Sequence, residues 1–165
     1  MQWLGNLHFT ILLLGSWTVI AVVWSRKRRL PTDVMLFVFL LMSILESLLF
    51  TSMSMALDWI ALPKRTEPFM HHIFIRTVLR PVLYLLAVTW WIYGRSFLAR
   101  WGGAAAVILI RVALLHASVS FGWVDLKRVN AWHMFGLDVV LVALACATGQ
   151  WFLRRTRAKR EASTS

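Results

Sequence analysis

Five acidic or arginine side chains stand inside long apolar stretches of this sequence: Glu46, Arg76, Arg80, Arg111 and Asp138. Two carboxylates and three guanidinium groups in such surroundings could do three kinds of chemistry. They could tie helices together as ion pairs, they could hold or pass a charged solute, or a carboxylate could act as an acid or base. A lone charge at the middle of a bilayer costs at least about 2.5–3.5 kcal/mol, so pairing is the first expectation. An arginine fork can hold a carboxylate with two parallel hydrogen bonds. No Glu–Arg pair stands four apart within one run, so the partners must come from different helices. Glu46 and Asp138 are expected to pair with Arg80 and Arg111. Arg76 is then left over, to reach the headgroups along its apolar stem or to bind an anion.

Neighbouring residues extend this charged layer. His72, Arg76, Arg80 and Tyr84 step by four along one helical stripe. Ser43, Glu46, Ser47, Thr51, Ser54 and Asp58 fall on one side of the preceding run when wound at about 100° per residue. The two faces are expected to look at each other, which makes Asp58, His72 and Tyr84 accessory candidates. His116 is a fourth: a proton shuttle by chemistry, a hydrogen-bonded structural histidine by the simpler reading. His71 and His72 read as side chains at the membrane boundary. No further acid or cysteine gives them metal-ligand spacing.

No catalytic residue, metal or cofactor is expected. The chain has no P-loop, GxSxG, HExxH or GxGxxG. Its one cysteine, Cys146, lies in an apolar run and reads as a small packing residue. A carboxylate beside two arginines suits binding better than proton donation.

The elements that must carry these groups are five apolar runs, at about 3–24, 34–57, 69–93, 103–121 and 131–153. Runs of about 18 or more apolar residues read as transmembrane helices. The chain is 59% apolar with a mean hydropathy of +0.68, against about 45–50% apolar in soluble domains. The first run lacks the leading positive charge of a signal peptide and is followed by it instead, as "RKRR". Thr32 or Asp33 is expected to cap the second helix, and Pro81 to bend the third beside Arg80. Ala143, Ala145, Ala147 and Gly149 are expected to let the fifth pack closely. Residues 103–121 begin after a glycine-rich loop, "GRSFLARWGG", and residues 154–165 read as a disordered basic cytoplasmic tail.

Depth can be counted at about 1.5 Å per residue. Counted from the outer ends, the five charges lie between about 11 and 17 Å deep, with Glu46 and Arg80 the deepest. The charges therefore form one layer. Lys and Arg near span ends favour the cytoplasmic side. Arg26, Lys27, Arg28, Arg29, Arg95, Arg100 and the basic residues of the tail fall on one side, and only Lys64, Arg65, Lys127 and Arg128 on the other. The expected fold is all-α: a compact bundle of five transmembrane helices, N-terminus outside and C-terminus cytoplasmic. Tryptophans cluster at the run ends, with Trp17 the exception, as membrane-interface belts require. The net charge of +11 sits between apolar runs and not along a soluble face, which argues against a nucleic-acid partner. The partners implied are the lipid bilayer, anionic lipid at the tail, and a membrane-protein partner or a second copy of the chain.

Several stretches together resemble a group of small five-helix membrane proteins of endospore-forming bacteria. They are "RLPTDVMLF" opening a span with a mid-membrane acid, "LDWIALP", "LRPVLYLL", and "GWVDLKRVNAW" before a span with a basic end. The chain departs from that pattern in the fourth run, with Arg111 and His116 where an acid is expected. The resemblance implies a bacterial cell membrane and a spore-related setting, and no reaction. Together these readings point to a non-enzymatic integral membrane protein, structural or partner-interacting. The alternatives are a small transporter or channel subunit for an ion or small anionic solute, and an intramembrane enzyme using Glu46, Asp138 or His116.

Overall fold

The structure, a computed structural model, describes residues 30–61 and 66–162, without the side chains of 66–68 and 160, and isolated positions of the first apolar run. Most of that run, Arg26 to Arg29, Lys64 and Arg65 lie outside the described residues, and so does the expectation of a first span. Among the described residues, four helices are long and apolar enough to cross a membrane.

The first of these, α1, runs Thr32–Thr51 and continues as a π-helical turn, Ser52–Ala56. Its start is capped differently from the expectation: Pro31 is the N-cap and no side chain caps it. Asp33 instead lies in the first turn, where a negative charge favours the helix dipole. The next span is α2, Thr66–Phe74, a π-helical turn at Ile75–Leu79, and α3, Arg80–Tyr93. Then come α4, Phe97–Ser120, and α5, Ala131–Ala162.

Two boundaries differ from the sequence reading. Helix α4 starts six residues before 103, because the Ser96 hydroxyl accepts from the Ala99 amide at 3.1 Å and caps it. Gly102 and Gly103 lie within the helix. Gly103 is there for packing, since a β-carbon at that position would meet Trp90 Cβ at 2.6 Å. At the other end, the basic segment is not disordered from residue 154: α5 continues through it to Ala162. Arg, Lys, Glu and Ala are strong helix formers, and cations at a helix C-terminus favour its dipole.

Helix α3 is the central post. Every residue from Pro81 to Thr89 is buried, as expected of a helix apolar on all sides. It packs against α1, α4 and α5. Of the four small residues on α5, only two serve the packing. Ala145 and Gly149 are buried, whereas Ala143 and Ala147 are exposed. A β-carbon at Gly149 would meet Val88 at 2.7 Å and Val38 at 3.3 Å, so this glycine sets the approach of three helices.

The chain is not wholly helical. Ile60–Ala61 (β1) pairs antiparallel with Asp125–Leu126 (β2), joining the loops after α1 and α4 at one end of the bundle. Helix α4 leaves by a Schellman turn. Gly122 adopts φ +67°, its amide donates to Val119 O at 3.0 Å, and the Trp123 amide donates to Ser118 O at 2.8 Å. The turn sends Trp123 and Val124 back over the bundle end, where both are buried. Trp123 is thus a core residue and not part of an exposed aromatic belt.

Candidate functional site

The buried stripe of α1 is Val34, Val38, Met42, Glu46 and Phe50, a step of four. Glu46 is therefore the one charge on an apolar seam facing α3. The expected polar stripe is not the inward face: Ser43 and Ser47 are half-buried and Thr51 is exposed. Asp58 lies beyond the helix, exposed, at φ +48°. It is not part of the interior. It pairs instead with Lys127 across the two loops, at 2.7 Å.

On the facing span, His72, Arg76, Arg80 and Tyr84 do point toward α1. In a regular helix, steps of four drift by about 40° each. The π turn at Ile75–Leu79 takes up an extra residue midway and so offsets the drift. It also accommodates Pro81, which has no amide to donate: the preceding Arg80 amide bonds five residues back, to Ile75 O.

The structure brings together four of the five charges that stand in the apolar runs. Arg111 donates from Nη2 to Glu46 Oε1 at 2.6 Å, and from Nε and Nη2 to Asp138 Oδ1 at 3.1 and 2.5 Å. Arg80 donates from Nη1 to Glu46 Oε2 at 3.2 Å. The Tyr84 hydroxyl donates to Glu46 Oε1 at 2.6 Å, and the Tyr84 ring lies under the Arg111 guanidinium, 4.4 Å from its carbon. One network thus draws on α1, α3, α4 and α5. Arg111 is fully buried, and Glu46 and Asp138 are nearly so.

Arg76 lies outside this network. Its guanidinium sits over the Phe50 ring at 4.7 Å, a contact typically worth about 0.5–2 kcal/mol. No ion pair to Arg76 exists among the described residues. Phe50 also meets the His72 ring at 4.5 Å. The sequence reading passed over Phe50, although it stands four residues beyond Glu46 on the same seam. His71 and His72 are buried and not at an open boundary; His71 stacks on Trp123 at 4.9 Å. His116 is exposed on α4. Five residues beyond Arg111, it is turned about 140° from it, so it takes no part in the cluster. Cys146 is buried, and among the described residues no group of His, Cys, Asp and Glu is placed to hold a metal ion.

The arrangement can hold charge but has little space to do chemistry. The cavity beside it, lined by Phe50, His72, Arg76, Arg80 and Ser118 among others, measures about 10 Å³, roughly one water. Comparison with protein-family models, curated proteins and solved structures found no match. The function is therefore argued from this geometry.

Proposed function

We propose that this is a non-enzymatic integral membrane protein whose buried ion-pair network fixes how its transmembrane helices assemble. The observation that carries the reading is Arg111, wholly enclosed while bridging carboxylates from two other helices. In lipid, apolar side chains supply no driving force between helices, so packing and polar ties must decide the arrangement. The cavity beside the network measures about 10 Å³, which disfavours passage of a solute there. Glu46 already accepts from three side chains, which leaves it poorly placed to take a substrate proton.

The topology belongs to the same proposal. Residues 3–24 form a fifth span, the β1–β2 loops face outward, and the basic end of α5 is cytoplasmic, in a bacterial cell membrane. The antiparallel pairing of the loops after α1 and α4 supports placing both on one side. Folded yield in detergent tests the structural role. Glu46→Leu or Arg111→Leu alone is expected to lower the yield of monodisperse product sharply, because a stranded buried charge costs about 3–5 kcal/mol. Apolar replacement of Glu46, Arg80, Arg111 and Asp138 together is expected to recover it. Single variants that fold as well as the wild type would overturn the proposal. Proteoliposomes that release an entrapped ion faster than empty vesicles would return the transporter reading.

A further inference from the structure

Three guanidinium groups face two carboxylates in the interior of the bundle, and both carboxylates are spent on Arg80 and Arg111. The remaining charge, Arg76, has no acid partner among the described residues, yet its Nε is enclosed. The Nε of Arg80 and the Nε2 of His72 are likewise enclosed without a hydrogen-bond partner. All three residues line one cavity beside the ion-pair network, and the rest of its wall is Ser118 and apolar side chains, Phe50 and Leu115 among them. His72 is only 6% exposed. Arginine nitrogens can only donate, and His72 Nε2 donates in one of its neutral tautomers. The wall therefore sets three donor side chains among apolar ones and carries one uncompensated positive charge.

We infer that this cavity is a binding site for a small monovalent anion of the halide class, held by His72, Arg76 and Arg80. Its volume of about 10 Å³ is of the order of one water, which favours a monatomic anion over phosphate or a carboxylate. Water would fit, but it brings two protons of its own and leaves the excess charge in place. A halide accepts from every donor at once and offsets the charge of Arg76, which is half-buried. The π turn is what aligns the site: Arg76 lies within it and Arg80 directly follows it, on the same face. The inference is independent of whether the neighbouring network is structural: folded yield reads the network, and halide dependence reads the pocket.

The test uses the purified full chain in dodecyl maltoside at constant ionic strength, with sodium chloride or bromide replacing sodium gluconate. Chloride and bromide are expected to raise the unfolding temperature to a plateau, as a ligand of the native state does, while gluconate does not. The plateau should vanish in Arg76→Gln. Bromide-soaked crystals of the wild type should show an anomalous peak within hydrogen-bond reach of Arg76, which decides the matter even if Arg76→Gln fails to fold. Equal unfolding temperatures in the three salts, no bromide peak, or a halide effect unchanged in Arg76→Gln would each overturn the site. Stabilisation by phosphatidylglycerol in gluconate, with none from halide, would assign Arg76 to lipid phosphate and overturn it too.

Discussion

Glu46 is the residue on which the network turns, because three donors from two helices converge on its two oxygens. The donors differ in what they leave behind when removed. Tyr84→Phe deletes one hydrogen bond to a charged group and keeps the ring under Arg111, so a loss of about 1.5–3 kcal/mol is expected. Denaturant unfolding of the purified variant measures it. Arg111→Leu strands two carboxylates and should cost more than Tyr84→Phe in the same assay. The membership of this cluster was legible in the sequence because a charge in apolar surroundings needs a partner, and depth counting put Glu46, Arg80, Arg111 and Asp138 at one level. The wiring was not legible. That Arg111 bridges both carboxylates while Arg80 pairs with Glu46 depends on helix rotation, which spacing alone does not fix. Phe50 was missed because an aromatic in an apolar run carries no signal until the cation above it is placed. His116 was misplaced because depth says nothing about which way a side chain faces.

At the scale of elements, the assembly rests on two contacts of closest approach. Gly149 lies against Val88 and Val38, and Gly103 against Trp90. Gly149→Val forces α5 away from α1 and α3. It is expected to destabilise the bundle by about 1–3 kcal/mol, as overpacking does, whereas Ala147→Val on the exposed face of α5 should leave the unfolding midpoint near wild type. Comparing the two midpoints separates packing from a general effect of bulk. The helices themselves were plain in the sequence, since long apolar runs admit little else in a membrane. Their ends were less so. The Ser96 cap and the helix-forming composition beyond Leu153 both extended helices past the point where hydropathy fell, and hydropathy was what set the expected limits. The π turn before Pro81 replaces the simple kink that a proline suggests.

At the scale of the molecule, the loops after α1 and α4 close one end through β1–β2 and the Asp58–Lys127 pair. The Lys127 ammonium beside Asp58 holds its carboxyl below the ordinary carboxylate range. A depressed carboxyl pKa adds stability above the unfolded value and loses it as pH falls through the folded one. The clasp should therefore persist at neutral and mildly acidic pH and open only below the usual carboxylate range. Hydrogen exchange at the Lys127 amide, which donates to Trp59 O at 2.9 Å, reports that opening. The proposed topology predicts that single cysteines at Lys64 and Lys127 react with an impermeant reagent from outside intact cells, and protection of both would contradict it. The central claim, that ion pairs across helices hold the bundle in one arrangement, is tested most directly by a double-mutant cycle on Arg111 and Asp138. Unfolding free energies of Arg111→Leu, Asp138→Leu and the pair are predicted to show a coupling of about 1–3 kcal/mol, as residues in one network do. Additivity within about 0.3–0.5 kcal/mol, the behaviour of independent sites, would contradict it.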